Sequence, residues 1–371
     1  MHSSFEKSMT STESPLLSRF EWRAARATIP MAVGLSVAAF RASVMPRTWA
    51  LLMTALMLDN LACRMIGLDR QKVARAWAVS ASHMLPERFQ DLFDKAWVGP
   101  LGLVAPFLDL ISSRSVFEVL QSIPALVMTL AIWGIFGGSI CRIAMTRMTL
   151  QPIPGYVQAL SYALRHGHAH WFAVAKMGAL VLILSFILAL LGALTRIPAL
   201  GGWLAWMIVP AMILPAAMLV LAISGVFLGW PLLLGAAMVE ESDGFDALTR
   251  SQCYLFQAPV TWALTIKIGF LIHTAGYYMV RWFLRALAAV LRRSSVEFGL
   301  TEIAGNMIGR NFPDPWTMPE VTSGAFVFWE SAIKLAAVTW PTGFVFAFSA
   351  ALYLALKARV DLVPPQDVRI E

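Results

Sequence analysis

The sequence predicts an all-α fold: a polytopic membrane helix bundle with about six transmembrane helices plus interfacial amphipathic helices. Three observations predict it. Of 371 residues, 58% are hydrophobic and 14% are charged, and the mean hydropathy is +0.67, whereas a soluble domain carries about 25% charged residues. Several apolar runs reach the ~20 residues needed to cross a bilayer. The basic residues stand in ones and twos beside those runs, as snorkelling anchors do. Together these exclude a disordered chain, a secreted disulfide scaffold and an ordinary cytosolic enzyme. The net charge of +7 comes with no basic run and no recognition module, so no nucleic-acid partner is expected. Cys63, Cys141 and Cys253 form no C-x-x-C pair and read as small apolar residues.

Two regions are expected: 1–47 as a polar tail and membrane-surface helix, and 48–371 as the transmembrane domain. Residues 1–15 are polar. From Leu16 to Thr28, Leu16, Leu17 and Phe20 share a helical face beside Arg19, Arg23 and Arg26, the pattern of a helix lying on the membrane. No apolar stretch precedes it, so the first span is expected to act as an uncleaved insertion signal. Residues 29–45 are apolar but short and interrupted by Arg41, and read as interfacial or re-entrant. The first span is 48–67. Within 68–118, Phe89, Leu92, Phe93, Ala96 and Trp97 recur opposite Glu87, Arg88, Asp91 and Lys95, predicting an amphipathic helix. The Pro/Gly-rich GPLGLVAPF after it is expected to dip into the interface. Further spans are 120–144, 172–194, 203–239, 260–284 and 335–357. The run 203–239 contains Pro210, Pro215 and Pro231 and is about 55 Å long as one helix. A kinked helix extending beyond the bilayer is the first reading, two short spans the second, which would make seven spans.

A loose internal repeat links these elements. Tyr156, Ala159, Leu160, Ala163 and Leu164 predict a short helix before the third span, entered through Trp171. Phe245, Leu248, Gln252 and Leu255 predict another before the fifth, entered through Trp262. Such parallel duplication occurs in transporters and also in proteins with no transport role. Arg19, Arg23, Arg26, Arg41 and Arg47 favour a cytoplasmic N-terminus. Arg142, Arg147 and Arg165 put the loop after the second span inside, and Lys357 and Arg359 do the same for the C-terminus. Arg281, Arg285, Arg292 and Arg293 run against that scheme. The expectation is a bacterial cytoplasmic (inner) membrane with both termini cytoplasmic.

The stretches GIFGGSICRIA (134–144), GVFLGWPLLLGAAMVEESDGFDALTRSQCYLFQAP (225–259) and ALYLALKARVDLVP (351–364) carry a resemblance. The chain resembles a set of uncharacterised multi-pass membrane proteins seen in planctomycete-type bacteria. The likeness covers spans two to six in order. It implies a bacterial membrane protein of that kind and brings no activity and no catalytic residue with it.

In Glu240-Glu241-Ser242-Asp243-Gly244-Phe245-Asp246-Ala247-Leu248-Thr249-Arg250, Asp243 reads as a helix N-cap with acids favoured in the first turn. A docking or cation site at the membrane face is the sharper reading. Asp243-Gly244 followed by Ala247 and Arg250 resembles the D-G-x-x-A-R opening of the CDP-alcohol phosphatidyltransferase motif, but Ala247 is followed by Leu248 and no Asp occurs between Asp246 and Asp314, so the metal-binding continuation is missing and that enzyme reading fails. His166, His168 and His170 have no acid or cysteine nearby to complete a metal shell, and on a helix only His166 and His170 align. They read as interfacial histidines, and no metal site is expected. Asp59 lies inside the first span, five residues before Arg64, and ionisable groups at depth face a bundle interior or cavity. Lys176, Lys267, His273, Glu330 and Lys334 are the other polar candidates, with mutual neutralisation and snorkelling as the plain explanation and a path through Asp59 and Lys267 as the sharp one. Gly225-Val-Phe-Leu-Gly229 is a G-x-x-x-G that supports tight packing but not dimerisation.

No nucleophile elbow, P-loop, zincin helix or dinucleotide fingerprint is present. No catalytic residue is therefore assigned and no cofactor is expected, although His273 and the Met-rich spans leave a cofactor-holding subunit open. The first functional expectation is a structural, assembly or interaction subunit that contacts membrane lipids and other membrane proteins or further copies of itself. The second is a carrier of a lipid or small amphipathic molecule, and the third a membrane enzyme acting on lipid.

Overall fold

A computed structural model describes residues 14–66, 116–195, 201–239, 243–296 and 324–368. Among them are helices α1 (Ser14–Ser43), α2 (Pro46–Ile66), α3 (Val116–Met148), α4 (Tyr156–Leu194), α5 (Gly201–Val239), α6 (Gly244–Gln257), α7 (Pro259–Val296) and α8 (Gly324–Val360), and a 3₁₀ turn at Pro365–Asp367. The described residues contain no strand. The amphipathic helix expected within 68–118 lies outside them.

Among the described residues five helical stretches are long and apolar enough to cross a membrane: Ser122–Met148, Tyr156–Leu194, Trp206–Gly225, Pro259–Val290 and Leu335–Val360. A sixth arises if Thr28–Ser43 and Pro46–Cys63, bent by 69° at their junction, count as one broken span. The chain is a multi-pass membrane protein. Its first span therefore differs from the expected 48–67: α2 passes only together with the end of α1, because Arg47, Asp59 and Arg64 dilute its apolar run. Residues 203–239 lie in one continuous helix, α5, despite three internal prolines.

The short helix expected before the third span is not separate. It is the first half of α4, since nothing between Leu164 and Trp171 breaks a helix except the single Gly167, which a helix tolerates. In the second copy Pro259 does interrupt the chain, and α6 is distinct from α7.

Helix ends follow local chemistry. After α3, the Gln151 N–H donates to the Thr146 carbonyl (2.9 Å) and Leu150 takes a left-handed backbone, φ 58°. That is a Schellman turn with leucine where glycine is usual, closed off by Pro152 and Pro154. Before α4, the Gln158 side chain accepts from the Gly155 N–H (2.9 Å).

Two compact units divide the chain. One comprises Met1–Ala38, Cys141–Ile268 and Phe348–Glu371. In it α4, α5 and α6 pack on one another. Its core is made of Ile143, Met145, Leu232, Leu234, Met238, Leu352 and Tyr353, with Ala159, Ala163 and Ala173 from α4. Gly235 lets α5 close on α8: a Cβ there would sit 2.5 Å from Tyr353 Cβ and 3.2 Å from the Ser349 carbonyl oxygen. The far arms of α4 and α5 are bare by contrast, with Leu182 71% and Trp206 84% exposed.

The other unit comprises Ala39–Ile140 and Gly269–Ala347. Its core centres on Trp340, Phe344 and Phe346 of α8 with Leu51 and Leu52 of α2. Trp133 stacks on Phe346 at 5.1 Å, and Phe40 meets Trp340 edge-on at 5.6 Å.

The Gly235 contact gives a stability test. Gly235→Ala should cost about 1–3 kcal/mol, the price of overpacking a close helix crossing. Thermal unfolding in mild detergent measures it, and an unchanged midpoint would mean that α5 and α8 separate there at little cost.

Candidate functional site

In the unit that holds α2, the polar position of interest is Asp59. It is fully buried, one turn before the buried Cys63. Thr129 Oγ1 of α3 donates to Asp59 Oδ1 at 2.9 Å, and Trp133 Nε1, one turn further along α3, donates to Asp59 Oδ2 at 3.1 Å. The helical spacing of Thr129 and Trp133 puts both donors on one face, and stacking on Phe346 fixes the Trp133 ring. The carboxylate thus fastens α2 to α3 through two hydrogen bonds. His273 of α7, also buried, stacks on Trp340 (5.8 Å) and Phe344 (5.3 Å). It is part of an aromatic cluster with the shape of packing. Arg281 donates to the Tyr277 hydroxyl at 2.7 Å, one turn away.

The other unit has its own polar cluster where α6 crosses α4 and α5. Asp243 caps α6: its Oδ1 accepts from the backbone N–H of Phe245 (2.8 Å) and of Asp246 (2.9 Å). The Asp246 and Phe245 amides hold the Asp243 carboxyl below its ordinary range, Lys176 adds to this, and the slight desolvation opposes it. The cap therefore contributes fully above the ordinary carboxylate range and is lost as pH falls through that lowered value. Asp246 accepts from Arg250 Nε at 3.0 Å, an exposed pair worth little in stability.

The buried face of α6 is Gly244, Ala247, Ser251, Tyr254 and Leu255, offset from the expected one. Gly244 abuts the α4 backbone so closely that a Cβ would overlap the Ala169 carbonyl, so small residues must turn inward there. Phe245 is turned out, with Lys176 Nζ 5.2 Å from its ring centroid. Gln252 Nε2 donates to the Gly225 carbonyl at 3.0 Å, and its side chain occupies the hollow above Gly225 and Gly229. The G-x-x-x-G thus receives a side chain of its own chain.

The remaining candidates are dispersed. Lys267 lies on an exposed face of α7. His166 stacks on Tyr162 (4.2 Å), His168 is exposed against Phe172, and His170 is buried. Among the described residues no three His, Cys, Asp or Glu groups are placed to hold a metal ion. Glu240 and Glu241 lie outside the described residues, as do the side chains of Arg64, Glu330 and Lys334.

Sequence reasoning missed Arg142. Nearly buried in the last two turns of α3, it donates to the Met238 carbonyl at 3.0 Å, and its guanidinium carbon lies 3.8 Å from the Tyr162 ring centroid. Tyr162 Oη donates to the same carbonyl at 3.4 Å. This cation sits where α5 runs out of intrahelical donors and its dipole is negative. An arginine directly inside the apolar run GIFGGSICRIA was the available signal.

Comparison with known protein families, with curated proteins and with solved structures gives no match to this chain.

Replacing Asp59 by Leu strands two buried donors at about 1–3 kcal/mol each. Asp59→Leu should therefore lose about 2–4 kcal/mol in detergent unfolding, and adding Thr129→Val should recover about 1 kcal/mol. Strict additivity of the two changes would show that the Thr129–Asp59 bond carries no stability.

Proposed function

We propose that the protein is an assembly subunit of a membrane complex, acting through contacts with membrane helices and lipids and performing no reaction of its own. The observation that carries this reading is the outward face of α4. Gly178, Ser185, Ala189 and Gly192 fall on one side of the helix, and a Cβ added at Gly178 or Gly192 meets nothing within 4 Å. Small residues let helix backbones approach closely in lipid, and Ser offers a hydrogen bond across the contact. Lipid alone needs no such stripe. The partner is a second copy of the chain or another membrane protein.

Native mass spectrometry of the gently purified particle tests this. A defined oligomer or a stoichiometric partner is expected, lost in Gly178→Leu and Gly192→Leu variants that still fold. A monomer, or a complex indifferent to both changes, would sink the proposal. The broken pair α1–α2 with Asp59 in its second arm favours a second reading, a carrier, since discontinuous helices line transport sites. A carrier requires Asp59→Asn to abolish substrate movement while assembly persists.

The membrane is inferred to be a bacterial cytoplasmic membrane, with both termini and α6 on the cytoplasmic side. Cationic Arg142, Arg147 and Arg165, with Lys357 and Arg359, support that orientation. The chain carries its own probe: Cys253 is exposed while Cys63 and Cys141 are buried. A membrane-impermeant maleimide should modify Cys253 in inverted vesicles and leave it unmodified in intact spheroplasts. Labelling in spheroplasts reverses the orientation.

A further inference from the structure

α4 has 39 residues, about 58 Å at 1.5 Å each, nearly twice a hydrocarbon core of about 30 Å. It carries no ionisable residue after Lys176, whereas its first half holds Arg165, three histidines and Lys176 itself. Residues 177–194, about 27 Å long, therefore lie in hydrocarbon, and most of 156–176 stands outside it. The outward face crosses that boundary without a break. Every seventh residue, Val157, Leu164, Trp171, Gly178, Ser185 and Gly192, lies on it, and none of them is buried. The positions four residues after the first five of these, His168 and Leu182 among them, are exposed as well. The opposite face, with Ala159, Ala163, Gly167 and Ala173, is buried within the unit.

The small-residue stripe is thus one part of a longer seam. Its alternating steps of four and three are the repeat of a left-handed helix pair, because a strict seven-residue period keeps two helices in contact only when both supercoil. Residue size changes where the solvent changes. Outside hydrocarbon the seam presents Val157 and Leu164, 73% and 58% exposed, side chains whose burial water favours. Inside it the seam presents Gly178, Ser185 and Gly192, which let backbones approach in lipid. Three features fit a second copy of this chain to that seam. Copies in one membrane share an orientation, so two α4 helices run parallel and meet level for level, large residues against large and small against small. The polar members Ser161, His168 and Ser185 each carry a donor and an acceptor, so each can bond its own counterpart across a two-fold axis. No acid or permanent cation lies in the seam: Arg165 and Lys176 stand beside it, with the Lys176 ammonium over Phe245.

We infer that α4 pairs with the α4 of a second copy in a parallel, two-fold coil that runs through the bilayer and on beyond it. The inference rests on the assembly reading above and names its partner. The segment outside hydrocarbon supplies apolar burial, and the segment within it supplies close packing and the Ser185 bond.

The test is cysteine cross-linking of the full chain in native membranes, with the exposed Cys253 replaced by Ser so that only the buried Cys63 and Cys141 remain. Under mild oxidation Leu164→Cys and Gly178→Cys should each give a covalent dimer of the chain, since residues facing each other across a parallel seam come within disulfide reach. Lys176→Cys, exposed but off the seam, should give far less. Should a cysteine variant fold poorly, two differently tagged copies give an independent reading. A Ser161→Glu copy and a Ser161→Lys copy should co-purify with each other, and each should lose its like-charged counterpart. No dimer at Leu164→Cys, equal cross-linking at Lys176→Cys, or co-purification indifferent to the charges would each overturn the inference. If the native particle then holds a different protein in fixed ratio, the second copy is excluded while the assembly reading stands; a bare monomer sinks both.

Discussion

Inside hydrocarbon a polar group can be satisfied only by protein, and much of this structure is an answer to that constraint. Hydroxyls bond back to their own helix: Ser139 to the Ile135 carbonyl, Thr265 to that of Thr261, Thr339 to that of Ala336. Proline makes the problem harder, because each internal proline removes one helical donor and crowds the preceding turn. α5 contains three. Near Pro231 neighbouring helices place side-chain donors on α5 carbonyls, Trp262 on that of Leu228 and Gln252 on that of Gly225. Where α5 ends, Arg142 and Tyr162 converge on the Met238 carbonyl. Each of α3, α4, α6 and α7 thus places a side-chain donor on an α5 carbonyl.

The same helices show why size, rather than polarity, sorts the surface. In α4 the buried positions are chiefly Ala159, Ala163, Gly167 and Ala173, while Leu182, Ile183, Phe186 and Leu190 are exposed. In water that distribution would be inverted. In a bilayer large aliphatic side chains are solvated by tails, so burying them gains little, whereas small residues allow backbones to approach and dispersion contacts to accumulate. Even the α6 face obeys this. Its closest contact with α4 is made by glycine, and the phenylalanine beside it points away.

What was legible in the sequence was whatever depends on composition and local pattern. Helical class, multiple membrane passes, the continuity of 203–239 and the start of α6 at Asp243 all follow from apolar run length and capping chemistry. What depends on tertiary contact was not legible. Asp59 stood out as an ionisable group at depth, but its partners lie some 70 residues away on α3, and neither Thr129 nor Trp133 is unusual in a membrane helix. In the sequence Arg142 is a topology signal, and its role at the end of α5 becomes visible only with the α3–α5 contact. The face of α6 was misjudged because periodicity favours burying Phe245, while the overriding requirement was a backbone approach that only Gly244 permits.

That last point bears on how small-residue motifs should be weighed. The chain carries two such patterns in one unit. Gly225 and Gly229 match the familiar helix-pairing motif, yet the Gln252 amide already fills their hollow. Gly178, Ser185, Ala189 and Gly192 match no short motif, yet the space outside Gly178 and Gly192 is open. A glycine pair promotes association only if the surface it clears is still vacant after the chain has folded on itself. By that criterion the recognisable motif is structural, and the small-residue surface left vacant is that of α4, which matches no such motif.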